Sequence, residues 1–146
     1  MVGFIGLGQM GGPMALNLLR HASPSAMLLL DPSDAAVRAV TEQGRPLAPE
    51  CNITAVKSPK EIGAKADWIV SMLPTAKHVE AVYMDPKTGI AAGFKDRAAD
   101  AVLMADSSTI DHQTAQSVAA RLQQIAPKSL FVDAPVSGGN QISSCK

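Results

Sequence analysis

Short apolar runs alternate with segments of helical period along the 146 residues, one run is nearly continuous in its hydrophobicity, and the first breaks into glycines before a helix begins. Together these features predict an α/β protein with a doubly wound parallel sheet. Strands joined by helical crossovers pair in parallel, and strands covered on both faces lose the polar alternation of a half-exposed sheet.

The elements follow in order. Residues 2–5 form the first strand, and Gly6-Leu7-Gly8-Gln9-Met10-Gly11 makes a turn into a helix whose apolar side runs through Met10, Met14, Leu18 and Leu19. Gly6 suits the tight turn, Gly8 lets backbone approach a pyrophosphate, and Gly11 lets the helix pack on the strand, with amides directed at the phosphates. Such a turn means little without a second strand ending in an acid about 20 residues after the last glycine. Met27-Leu28-Leu29-Leu30-Asp31 supplies both. The expected architecture is therefore of the Rossmann type, and the expected ligand is a dinucleotide. A carboxylate at this place accepts hydrogen bonds from the adenosine ribose and repels a 2′-phosphate, so Asp31 favours NAD over NADP. Its competing role is local: Asp31-Pro32-Ser33 also starts a turn and caps the next helix.

That helix covers residues 34–43, with Gly44 closing it. Residues 52–56 form a third strand, and Ser58-Pro59 starts a short helix. Asp67 to Leu73 is the nearly continuous apolar run expected of a strand buried on both faces, ended by Pro74. A helix over residues 77–83 precedes a turn-rich stretch. A fifth strand spans 101–106, a helix 111–125 and a sixth strand 130–133, which leads into Ala134-Pro135-Val136-Ser137-Gly138-Gly139.

Composition narrows the function. Thirteen basic and thirteen acidic side chains balance, with no basic run to attract nucleic acid or an anionic membrane. No apolar stretch is long enough to span a bilayer, and a first strand at Val2 leaves no room for a targeting segment, so a cytoplasmic or mitochondrial-matrix setting is expected. Cys51 and Cys145 lie far apart without histidines at ligand spacing, which argues against zinc and gives no disulfide framework. His21 and His112 have no nucleophile or acidic partner nearby and are expected at the surface. Met10, Met14 and Trp68 are read as structural.

In a doubly wound sheet, ligands sit beyond the carboxyl ends of the strands. Those ends carry Gly6 to Gly11, Asp31, Leu73-Pro74-Thr75, Ser107-Ser108-Thr109 and Ser137-Gly138-Gly139, nearly all small, hydroxyl or glycine residues. Each segment taken alone is also an ordinary cap or turn. Their coincidence on one sheet edge favours a shared site.

Four of these segments, with their flanking residues, together resemble the beta-hydroxyacid dehydrogenases. Gly6-Leu7-Gly8-Gln9-Met10-Gly11-Gly12-Pro13-Met14-Ala15 is similar to that family's opening signature. Met72-Leu73-Pro74-Thr75, Asp106-Ser107-Ser108-Thr109-Ile110-Asp111 and Asp133-Ala134-Pro135-Val136-Ser137-Gly138-Gly139 are similar to its later motifs, most closely those of its 3-hydroxyisobutyrate dehydrogenases. The resemblance implies that Leu73, Pro74 and Thr109 line the cofactor and that Ser137, Gly138 and Gly139 hold the carboxylate of a small 3-hydroxy acid. His78, close to where relatives contact the cofactor, is a secondary candidate. Hydride would pass from the carbinol carbon to nicotinamide while a base removes the hydroxyl proton.

The resemblance stops at Gly139. Relatives continue through a catalytic lysine into an all-helical domain that completes the pocket and usually forms oligomers; here residues 140–146 are a polar tail after a cofactor domain of residues 1–139. No catalytic residue is assigned, and Lys146 lacks the helical setting of the family's base. Two readings remain: the cofactor domain of a dehydrogenase, inactive by itself, or a short module that binds a dinucleotide without chemistry. An exposed apolar surface would favour the first. A methyltransferase-like domain is disfavoured by the Leu-Pro-Thr and Ser-Gly-Gly segments.

Overall fold

The computed structural model describes residues 1–97 and 101–136. Strands β1 (Val2–Ile5), β2 (Ala26–Leu30), β3 (Asn52–Ala55), β4 (Trp68–Ser71), β5 (Leu103–Asp106) and β6 (Leu130–Asp133) form one sheet in the order β3-β2-β1-β4-β5-β6. Every pairing is parallel. The chain first winds outward from β1 to β3 and then restarts on the other side of β1 toward β6. This reversal opens a crevice beyond the carboxyl end of β1, the place where such sheets bind ligands.

Helices α1 (Gly11–Ala22) and α2 (Asp34–Gly44) cover one face; α3 (Pro59–Lys65), α4 (Ala76–Met84), α5 (Ile90–Gly93) and α6 (His112–Ile125) cover the other. Under α1 and α2, Val2, Phe4, Met27 and Leu29 pack with Ala15, Leu19, Val37 and Val40. On the opposite face Leu28, Ile69 and Met104 meet Ile62, Val79, Tyr83, Ile90, Val118 and Leu122. A fully buried aliphatic or aromatic side chain contributes roughly 1.5–3 kcal/mol, so these two layers carry most of the folding energy. Local signals agree. Ser58 accepts from the Glu61 amide while the Glu61 carboxylate accepts from the Lys57 amide and the Ser58 hydroxyl, a reciprocal cap that fixes the start of α3.

Four expectations need correction. The buried stripe of α1 is Gly11, Gly12, Ala15 and Leu19, with Met14 and Leu18 at its flank, because small residues let this helix approach the sheet. Gly44 ends α2 without a positive φ; a Cβ there would lie 2.6 Å from Leu19 Cδ1, so its smallness serves the packing of α2 on α1. The turn-rich stretch after α4 contains α5 and a 3-10 turn, Phe94–Asp96. β4, finally, is not buried on both faces.

At the start of β4, Trp68 is 58% exposed, and its register neighbours across the sheet are Leu103 and Leu130, the latter also 58% exposed. Val132, two residues on, is 38% exposed. α1 and α2 lie over β1–β3 and reach β4 only at Val70, and among the described residues no helix of that cluster covers Trp68 or this face of β5 and β6. The boundary at 139 and the tail of residues 140–146 lie outside the described residues.

Candidate functional site

The turn after β1 is built by contacts that exclude side chains. Gly6 has φ +88°, and a Cβ on it would overlap the Met72 carbonyl oxygen. A Cβ on Gly11 would overlap the Gly6 carbonyl oxygen, so α1 starts directly against the turn. Gly8 is the opposite case: a Cβ there meets nothing within 4 Å, because the position faces open space. α1 itself begins with no side-chain cap and no acidic residue in its first turn, as do α4 and the short α5, whereas α2, α3 and α6 are capped by Ser33, Ser58 and Asp111. A helix start without an acidic side chain, beside an open glycine, suits a phosphate, which would accept from amides and be favoured by the helix dipole.

A cleft of about 800 Å³ lies over this turn, within the range of small-molecule sites. Gly6, Gly8, Gln9, Met10, Gly11, Asp31, Leu73 and Pro74 line it. The structure thus brings together the ends of β1, β2 and β4. Asp34, Val56, Lys57, Pro59 and Val82 complete the walls, none of them singled out from sequence. Val56 and Lys57 follow β3 on the same sheet edge, which is the signal that could have found them. His78 also lines the cleft, with Nδ1 2.8 Å from Thr75 Oγ1.

Leu7 and Thr109 do not line this cleft. The Leu7 side chain is buried in the α1–α2 core, and its amide donates to Asp31 Oδ2 at 2.7 Å. Asp31 Oδ1 accepts from the Ser33 amide, also at 2.7 Å. Asp31 therefore makes the local turn and ties β2 to the glycine turn, while each carboxylate oxygen keeps acceptor capacity toward the cleft. Thr109 is exposed after β5, and Asp111 caps α6 by accepting from the Thr114 amide at 2.8 Å. That bond, with a second from the Thr114 hydroxyl, holds the Asp111 carboxyl below its ordinary range. Ser137, Gly138 and Gly139 lie outside the described residues. Among the described residues no cluster of His, Cys, Asp or Glu could hold a metal ion, and no helix is long and apolar enough to cross a membrane.

The sequence family described as the NAD binding domain of 6-phosphogluconate dehydrogenase matches residues 1–144. The chain belongs to this family. As an NAD-binding domain it is 37% identical over 138 residues to the mitochondrial 3-hydroxyisobutyrate dehydrogenase of Mus musculus, covering 94% of this chain and 36% of that enzyme. The solved 3-hydroxyisobutyrate dehydrogenase of Mycobacterium tuberculosis, determined with L-serine, superposes with a TM-score of 0.75 at 32% identity, covering 96% of this chain and 41% of that one. Psf3, solved with NADP+ and 2-OPP, superposes with a TM-score of 0.77 at 25% identity, over 97% of this chain and 44% of that one. This NAD-binding domain spans well under half the length of these relatives.

Proposed function

We propose that this domain holds the adenosine and pyrophosphate of NAD in the cleft over Gly8, as part of an oxidoreductase that moves hydride between a small 3-hydroxy acid and the nicotinamide. The open space at Gly8, beside a helix start with no side-chain cap and no acidic residue in its first turn, carries this reading. The fit is chemical as well as spatial: amides and a helix dipole meet the phosphates, and Asp31 meets the ribose. When bound, the cofactor would supply the hydride acceptor; the chain's own residues bind and orient it.

Preference for NAD over NADP rests on charge. Asp31 and Asp34 both line the cleft, and two carboxylates disfavour a 2′-phosphate, while Lys57 is the lysine among its walls. The carboxylate of the 3-hydroxy acid is assigned to Ser137, Gly138 and Gly139, where a hydroxyl and glycine amides can bind an anion without a buried cation. No base for the hydroxyl proton is assigned in this chain, so turnover by the domain alone is expected to be negligible. The uncovered apolar face at Trp68, Leu130 and Val132 supports a part of a larger unit over a finished binding module.

Calorimetric titration with NADH and NADPH tests the assignment. NADH should bind more tightly, and Asp31→Ala should weaken NADH by about tenfold, near 1.4 kcal/mol, while NADPH loses less or gains. The second nucleotide is the control for damage to the turn, since losing the Leu7 and Ser33 bonds would weaken both alike. No binding of either nucleotide overturns the function; oxidation of 3-hydroxyisobutyrate by the pure domain overturns the expected inactivity.

A further inference from the structure

A chain of hydrogen bonds joins β4 to β5 and to the segment that follows each. Asp106, at the end of β5, is fully buried, and its Oδ1 accepts from Ser71 Oγ at 2.7 Å and from Ser108 Oγ at 2.6 Å. Each serine has one hydroxyl proton, and both are given to Asp106. Ser71 Oγ must then accept from the Tyr83 hydroxyl, 2.8 Å away, and Ser108 Oγ accepts from the Leu73 amide at 2.8 Å. Protons thus converge on one carboxylate from two directions.

The Leu73 end of this chain reaches the cleft. The Met72 amide still donates to the Ile5 carbonyl in continuation of the sheet, but the next amide, that of Leu73, turns to the Ser108 hydroxyl. The serine thereby decides where the chain leaves β4, and Leu73 and Pro74, the next two residues along, form a wall of the cleft. Ser108 can hold this position only while its own proton is directed away, toward Asp106. Meanwhile Asp106 Oδ2 is buried with no hydrogen-bond partner among the described residues, an arrangement that costs stability. A buried carboxylate kept at such a cost points to placement of a neighbour as its task.

We propose that Asp106 is a positioning residue for the nucleotide cleft, acting through Ser108 on the Leu73 amide to set the Leu73-Pro74 wall against the bound cofactor. The inference rests on the nucleotide reading of the cleft. It differs from a merely structural role in a way that can be measured, because β5 carries a matched control at its other end. There the Ser129 hydroxyl accepts from the Val102 amide at 3.1 Å, also buried and also joining neighbouring segments, but on the opposite edge of the sheet.

The test is NADH titration of the 146-residue chain and of Ser108→Ala, Asp106→Ala, Ser108→Ala/Asp106→Ala and Ser129→Ala, with the melting temperature of each. Ser129→Ala strips the buried Val102 amide of its acceptor, and Ser108→Ala strips the half-buried Leu73 amide and also removes a donor to Asp106, so the melting temperature should fall in both and at least as far in Ser108→Ala. Ser108→Ala alone of these two should raise the Kd for NADH, by about fivefold, the scale of one net hydrogen bond. Asp106→Ala should match it, and the double variant should bind no more weakly than the weaker single variant, since both cut the same link. If Asp106→Ala does not fold, the Ser108 and Ser129 pair decides. Equal affinities for Ser108→Ala and the parent, or equal losses in Ser108→Ala and Ser129→Ala, overturn the inference while leaving the nucleotide reading intact. Failure of the parent itself to bind NADH overturns that reading and this inference with it.

Discussion

Gly8→Val should leave the domain folded and unable to hold NADH. A Cβ at this position meets no atom within 4 Å, so the folded state accepts the side chain, and stability should stay within about 0.5 kcal/mol of the parent. The same open space is where the pyrophosphate must lie if the amides at the start of α1 are to reach it. Valine's methyl groups would occupy that space, and affinity should fall by at least about tenfold. Gly11→Ala should behave differently. Its Cβ would overlap the Gly6 carbonyl oxygen, and Gly6 is held in the turn by its amide's hydrogen bond to the Leu30 carbonyl at 2.9 Å. Overpacking of this kind costs about 1–3 kcal/mol, which for a chain of this size lowers the melting temperature by about 3–9 °C. Circular-dichroism melts and NADH titrations on the two variants separate the roles. A Gly8→Val variant that melts like the parent and still binds NADH with parental affinity would remove the observation on which the function rests.

The contrast between these glycines shows what the sequence could and could not convey. All three glycines of the turn were legible from spacing alone, because strand, turn and helix signals are local and the acid twenty residues on confirms them. The six strands were legible for the same reason: each is a short apolar run between punctuation. The sequence was silent on partners across the sheet. Asp106 reads in sequence as one letter of a motif; its bonds to Ser71 and Ser108, and the Leu73 amide beyond, exist only once β4 and β5 are neighbours. Lys57 and Val56 join the cleft through strand order, which periodicity does not encode. Apolar character also misled in one place. Trp68, Leu130 and Val132 suggest a buried sheet, but a hydrophobic residue records only that burial would be favourable, and the described helices cover that face only as far as Val70 of β4.

The seam between α3 and α5 provides the second large effect, and its sign is the informative part. In an ordinary helix interior Gly→Ala stabilises by about 1 kcal/mol, since alanine loses less backbone entropy. Gly63→Ala should do the reverse. Its Cβ would overlap the Ile90 carbonyl oxygen and lie 3.1 Å from Ile90 Cα, and Gly93, facing it on the same seam, would place a Cβ 2.7 Å from the Ala64 amide nitrogen. Backbone therefore meets backbone, with Ile62 and Ile90 wholly buried beside the contact, and neither helix can yield without disturbing the core. A loss of about 1–3 kcal/mol is expected. Gly44→Ala is the matched comparison. It too sits at the packed end of a helix, but the atoms its Cβ would meet are the side-chain tips Leu19 Cδ1 and Ile53 Cδ1, at 2.6 and 3.1 Å, which can rotate away. Denaturant midpoints should therefore show Gly63→Ala clearly less stable than Gly44→Ala. Equal midpoints would mean that the α3–α5 approach can relax, and that the short helix α5 is held by its isoleucine alone.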